Sequence, residues 1–210
     1  MAREDIAVDV ASVPPRQSAN PVILVVDHYD SFTYNLVQLI ESLGREVEVV
    51  RSDSQPVAAL VERSPDAVVL SPGPGRPETA GCFLDLLAAL DRSTPVLGVC
   101  LGHQALGVSA GGAVDRAEPV HGKAGPVYHD GDGIFEGVPS PFEAGRYHSL
   151  VLTRESLPAD VALTAWTREG VVMGTQHREL PRFGVQFHPE SILTPHGPAI
   201  VRNFLALAGA

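Results

Sequence analysis

Three residues in this sequence have the types and the spacing that nucleophilic chemistry needs: Cys100, His188 and Glu190. Cys100 closes the short apolar run Val96–Val99 and stands between two glycines, in Gly98-Val99-Cys100-Leu101-Gly102. Gly-x-Cys-x-Gly is the pattern of a nucleophile elbow, a sharp turn from strand into helix. Such a turn strains the backbone of its central residue, and side chains at the flanking positions would collide. The thiol then sits at a helix N-terminus, whose partial positive charge favours the thiolate, the form that attacks carbonyls. The amide of Leu101 points toward the oxygen of a bound carbonyl and supplies half of an oxyanion hole. The alternative is an ordinary buried cysteine between a strand and a Gly-rich turn.

A cysteine nucleophile needs a base, and the base needs an orienting partner. Eight histidines are available, and those with a carboxylate two places on include His177-Arg178-Glu179 and His188-Pro189-Glu190. His188 follows Phe183-Gly184-Val185-Gln186-Phe187, a buried-strand pattern, so it too emerges at a strand end. Pro189 stiffens the link and holds Glu190 beside the imidazole. His177 reads as an exposed edge residue before the turn at Leu180-Pro181, and spacing favours His188 over it. Taken alone, His188 also fits a histidine hydrogen-bonded in a loop, with Glu190 as a cap. Ser71-Pro72-Gly73-Pro74-Gly75 supplies the third component, a loop whose glycines allow close approach to a ligand and whose prolines fix its shape. Its amides are candidates for the second oxyanion donor, and a stiff turn is the plainer reading. No Gly-Lys-Ser/Thr follows it, so a phosphate loop fits poorly.

The elements that must position these residues are legible in the apolar pattern. Val22–Val26 is apolar throughout, as in a parallel strand covered on both faces. A polar turn follows, with Asp30 or Ser31 as helix cap. Phe32, Leu36, Leu39, Ile40 and Leu43 share one helical face, and Gly44 closes that helix. Strands over 47–50, 67–70 and 96–99 alternate with helices over 56–63, about 79–91, and after Cys100. This alternation predicts a doubly wound, mostly parallel α/β sheet whose ligands bind beyond the carboxyl ends of the strands. After Gly111-Gly112 come short β-like runs near 126–130, 147–152, 162–167, 171–177 and 183–187. They read as a mixed or antiparallel extension of the same sheet, closed by a helix through Ile200, Val201, Phe204 and Leu205. Residues 1 to 20, with Pro14-Pro15, read as a mobile arm, and 21–210 as one domain.

Bulk composition narrows the function classes. The chain has 210 residues, 44% of them hydrophobic and 19% charged, enough for one large domain core. A net charge of −10 argues against nucleic-acid or anionic-membrane partners. Two cysteines and no CxxC pair argue against a disulfide framework or structural zinc and fit a reducing cytoplasm. Neither a signal peptide nor an apolar run of spanning length is visible. No metal or cofactor is expected.

These motifs together carry a resemblance. Gly98-Val99-Cys100-Leu101-Gly102-His103-Gln104, Ser71-Pro72-Gly73-Pro74-Gly75, His121-Gly122-Lys123, Arg146-Tyr147-His148-Ser149-Leu150 and Gly184-Val185-Gln186-Phe187-His188-Pro189-Glu190-Ser191 resemble the class I, triad-type glutamine amidotransferases. Asp27-His28-Tyr29-Asp30-Ser31-Phe32-Thr33-Tyr34-Asn35-Leu36 narrows this to the branch of glutaminase components of anthranilate synthase and 4-amino-4-deoxychorismate synthase. The resemblance runs from about Val22 to Leu207 and implies a flavodoxin-like fold. It implies glutamine hydrolysis through Cys100, His188 and Glu190, with an oxyanion hole from the amides of Gly73 and Leu101. It places glutamine against Gly73, Pro74, Gly75, Gln104, Ser149 and Leu150. The ammonia passes to a separate chorismate-binding synthase subunit, in tryptophan or folate biosynthesis, and the identity of the aminated product lies with that subunit. His121-Gly122-Lys123 and the Asp27–Ser31 turn are expected to face it. His28 stands where the family usually has Asn, Ala124 where a hydroxyl residue is common, and Ser109-Ala110 where an aromatic is usual. Two other readings are a stand-alone cysteine hydrolase or γ-glutamyl peptidase, against which Gln104 and Tyr147–Leu150 count, and a non-catalytic regulatory chain, against which the intact triad counts.

Overall fold

The computed structural model describes residues 22–210, so the arm expected over residues 1 to 20 lies outside them. Strand and helix alternate through β1 (Val22–Asp27), α1 (Thr33–Ser42), β2 (Glu46–Arg51), α2 (Val57–Glu62), β3 (Ala67–Leu70), α3 (Phe83–Ala89), β4 (Val96–Val99) and α4 (Leu101–Ser109). Then come β5 (Val114–His129), β6 (Phe142–Leu152), β7 (Val161–Trp166), β8 (Val172–His177), β9 (Arg182–Val185) and the closing α5 (Gly197–Leu207). Among the described residues no helix is long and apolar enough to cross a membrane.

One nine-stranded sheet runs β2-β1-β3-β4-β9-β8-β7-β5-β6. The first five strands in that order are parallel, and the remaining pairings are antiparallel. This is the doubly wound sheet with an antiparallel extension that the alternation predicts. Its consequence for function lies in β9. The chain leaves the parallel half after α4, builds the antiparallel half, and returns to lay β9 beside β4, with Gly98 opposite Gly184 and Val99 opposite Val185. The segments that follow β4 and β9 therefore leave the sheet side by side.

The all-apolar strands follow from a core on each face. Ile23 and Val25 of β1 pack with Leu36, Ile40, Ile200 and Phe204 of α1 and α5. Leu24 and Val26 point the other way, onto Leu60, Phe83, Leu86 and Leu101 of α2, α3 and α4. Each such fully buried side chain stabilises the fold by roughly 1.5–3 kcal/mol.

Three expectations are corrected. The helix expected over about 79–91 begins at Phe83, because Gly81 has φ +56° and breaks the run after a short 3₁₀ turn at Pro77–Thr79. The strand expected near 126–130 is the end of the 16-residue β5, whose earlier part is mostly exposed and held by its ladder to β6. Ser31 does not cap α1. Asp30 Oδ1 accepts from the amide of Phe32 at 2.8 Å, and the residue at the cap position, Phe32, has no capping side chain.

Candidate active site

Cys100 sits between β4 and α4 with φ 52° and ψ −100°, a positive φ that few non-glycine residues adopt. Its amide donates to Val185 O at 2.8 Å, tying the turn to β9. Both flanking glycines are required by close backbone approach. A Cβ at Gly98 would run into the Gly102 carbonyl, and one at Gly102 into the Leu70 carbonyl of β3. The elbow expected from Gly-x-Cys-x-Gly is thus wedged between β3, β9 and the first turn of α4.

The loop after β3 lies against this turn. Gly102 N donates to Ser71 O at 3.2 Å. Ser71 Oγ accepts from His28 N at 2.9 Å and donates to Pro72 O. A Cβ on Gly73 would lie 2.7 Å from the His28 carbonyl oxygen and 2.9 Å from a Leu101 methyl. Gly73 is therefore placed directly beside Leu101, whose amide, at the first position of α4, has no intrahelical acceptor. Pro74 and Gly75 are exposed at the tip of the loop.

The segment after β9 brings His188 and Glu190. His188 N donates to Gly145 O of β6 at 3.0 Å, and the Thr194 hydroxyl donates to His188 O at 2.7 Å while accepting from Gly145 N at 2.9 Å. The ring packs edge-on against Tyr147 and Phe32, with centroids 5.0 and 5.8 Å away. Nδ1 lies 2.6 Å from Glu190 Oε1. Burial alone would lower the pKa of this imidazole. Attraction to the Cys100 sulfur and to the charged, hydrogen-bonded Glu190 carboxylate outweighs it and pushes the value up to about 10. His148 on β6 is driven the other way to about 4 by burial, with Arg146 and His188 adding repulsion.

His188, and not His177, is the histidine brought to the sulfur. His177 caps the turn after β8, its Nδ1 accepting from the amides of Glu179 and Leu180, and its Nε2 faces Asp160 at 3.4 Å. Gln104, which a sequence reading would leave on a helix surface, points inward. Its Nε2 donates to Leu150 O at 2.9 Å and to Gln186 Oε1 at 3.0 Å. Leu150 is half-buried and Ser149 exposed on β6. His121-Gly122-Lys123 lies at an irregularity of the β5–β6 ladder, where Gly122 takes φ +63° close to the Tyr147 ring.

Two residues that sequence reasoning passed over also belong to this site. Gln186 donates from Nε2 to Cys100 Sγ at 3.5 Å. Its signal was a polar residue inside an otherwise apolar strand run, immediately before Phe187-His188. Thr194, fully buried, had no signal in the sequence beyond its nearness to Glu190.

The chain is similar to known proteins over most of its length. Residues 24–208 match the family model for class-I glutamine amidotransferases. Anthranilate synthase component 2 of Azospirillum brasilense is 50% identical over 186 residues, covering 88% of this chain and 95% of that protein. The aminodeoxychorismate/anthranilate synthase component 2 of Bacillus subtilis is 48% identical over 185 residues, covering 88% of this chain and 95% of that protein. Among solved structures, one described as a GMP synthase subunit from Thermoplasma acidophilum superimposes with a TM-score of 0.80 at 28% identity, over 90% of this chain and 94% of that one.

Proposed function

The chain belongs to the class-I glutamine amidotransferases, and from that premise we propose that it hydrolyses L-glutamine for a chorismate-binding synthase subunit, through Cys100, His188 and Glu190. The observation that carries the reading is a His188 paired with a wholly buried carboxylate and attracted to the sulfur of Cys100 on its strained turn.

In this reading the Cys100 thiolate attacks the side-chain amide carbon of glutamine. The oxyanion that forms is met by the amides of Gly73 and Leu101, a reading supported by the packing of Gly73 against the Leu101 side chain. His188, protonated, gives its proton to the departing nitrogen, and ammonia leaves a γ-glutamyl thioester. Acylation removes the charge on sulfur. Two of the attractions that held a proton on His188 vanish with it. The same ring is then free to take a proton from water, which attacks the thioester and releases glutamate and the thiolate. Glu190 holds the ring in one orientation throughout.

Glutamine is held by Gly73, Pro74, Gly75 and Gln104 and by backbone at Ser149 and Leu150. Residues 21–210 act as a single domain. Ammonia passes to the synthase subunit, whose docking involves the His121–Lys123 and Asp27–Ser31 segments. The names of the relatives from Azospirillum brasilense and Bacillus subtilis support anthranilate or aminodeoxychorismate as the product of that complex.

The deciding experiment is Cys100→Ala assayed with the synthase subunit. Glutamine-dependent synthesis is expected to vanish while ammonia-dependent synthesis persists. Full turnover from glutamine in that variant overturns the assignment.

A further inference from the structure

We propose that Gln186 is a positioning residue for Cys100: its side-chain amide is locked, by a chain of hydrogen bonds ending on the Leu150 carbonyl, with its NH₂ aimed at the sulfur. The inference rests on Cys100 being the nucleophile.

The polarity of the chain follows from its end. A backbone carbonyl only accepts, so the atom of Gln104 facing Leu150 O at 2.9 Å is its NH₂. That NH₂ also faces Gln186 at 3.0 Å, so the atom of Gln186 turned toward it is the carbonyl oxygen. The remaining group of the Gln186 amide, its NH₂, is then the one facing Cys100 Sγ at 3.5 Å. An amide of glutamine is normally free to flip. Here a flip would set the NH₂ of Gln186 against the NH₂ of Gln104, two donors facing each other in a fully buried setting. The sulfur therefore meets a fixed donor, which favours thiolate over thiol and restrains the direction of attack.

The arrangement also sets Gln186 apart from His188. Among the ionisable groups, His188 interacts with the sulfur and has Glu190 behind it, while His148 interacts with His188 and Arg146, and His103 with His148. His103 and His148 are held neutral by burial, whereas the His188 imidazolium and the neutral Gln186 amide both act on the sulfur. His188 must surrender its proton during turnover. Gln186 cannot, and so it holds the sulfur when it is regenerated as leaving group.

The test is alkylation of the full chain by iodoacetamide across pH, with the modified cysteine located by peptide mass. Cys82, buried at the start of α3 with its thiol pushed up by burial, is the internal reference. Gln186→Glu keeps the shape but turns an oxygen toward the sulfur, and its midpoint for Cys100 alkylation is expected about one pH unit or more higher. Gln186→Met removes the donor without adding charge and shifts the midpoint upward by less. Gln104→Leu leaves Gln186 in place but frees its orientation, and also shifts it upward. Near-UV circular dichroism reports which variants keep the native packing. Unchanged midpoints in the folded variants overturn the role of Gln186. A wild-type Cys100 that reacts no faster than Cys82 at neutral pH overturns the nucleophile reading instead.

Discussion

His188 Nδ1 lies 2.6 Å from Glu190 Oε1, with the two side chains 3% and 0% exposed. A charge-assisted bond in so dry a setting is strong and directional. It fixes which ring nitrogen is left for the sulfur side, and it raises the proton affinity of the ring. Because the value in the folded protein is raised, the protonated form survives above the ordinary histidine range, up to about 10.

The first prediction follows from that sign. Ammonia release in the first turnover should stay level from pH 7 to about 9 and decline only near pH 10, as His188 loses its proton. In Glu190→Gln the declining limb should move to lower pH, and the rate at neutral pH should fall at least about tenfold. Rapid-quench measurement of ammonia across pH checks both. A limb that stays in place in the variant would show that Glu190 does not hold the proton on the ring.

The second concerns the elbow. Gly102→Ala drives a methyl into the Leu70 carbonyl, which is backbone and cannot turn aside. Overpacking of this kind costs about 1–3 kcal/mol, and the displaced turn should cost glutaminase activity about 100-fold. Gly107→Ala on the same helix meets first the Leu152 side chain, at its methyl groups and Cγ, and not backbone. It should lose less stability and keep most of its activity. Urea unfolding and steady-state rates of the two variants, side by side, separate the elbow requirement from a general intolerance of α4.

Much of this site was legible in the sequence, for a physical reason. The glycines at 98 and 102, the stiff loop at 71–75 and the His-Pro-Glu run are each demanded by backbone geometry, and backbone demands leave specific residue types in the chain. Gln104 was reached only through the family resemblance, because α4 is buried from Leu101 to Gly107 and has no polar face to mark its outside. The early part of β5 was missed for the opposite reason. Its side chains are largely exposed, so no alternation is imposed, and its shape comes from pairing with β6. Gln186 carried a signal, a lone amide in an apolar strand, but its partners lie 82 and 86 positions away in sequence.

The third prediction is acid lability. Burial lowers His103 to about 3, with His148 adding a smaller push, and His148 to about 4, with Arg146 and His188 adding smaller ones. Both are lowered, so the unfolded chain binds protons that the folded one refuses once the pH drops below the ordinary value of about 6.5. Stability is therefore fully present above that value and is lost as pH falls toward 4. Each histidine contributes a slope of up to about 1.4 kcal/mol per pH unit in that window. His103→Gln should flatten the fall in urea-derived stability between pH 6.5 and 4.5 by about one proton. An identical slope in the variant would remove His103 from the account.

The fourth prediction tests the strut behind His188. The Thr194 hydroxyl accepts from Gly145 N at 2.9 Å and donates to His188 O at 2.7 Å, so one oxygen joins β6 to the segment after β9. Thr194→Val keeps the shape and removes that oxygen. It leaves a buried amide and a buried carbonyl without their partner, at a cost of about 1–3 kcal/mol. It also loosens the one segment whose position relative to Cys100 the chemistry requires, so glutamine turnover should fall more than glutamine affinity. Thr194→Ser keeps the hydroxyl and should restore both stability and rate, which a packing role for the methyl group would not allow. Equal losses in the two variants would assign Thr194 to packing and leave His188 held by its bond to Gly145 and by the rings of Tyr147 and Phe32.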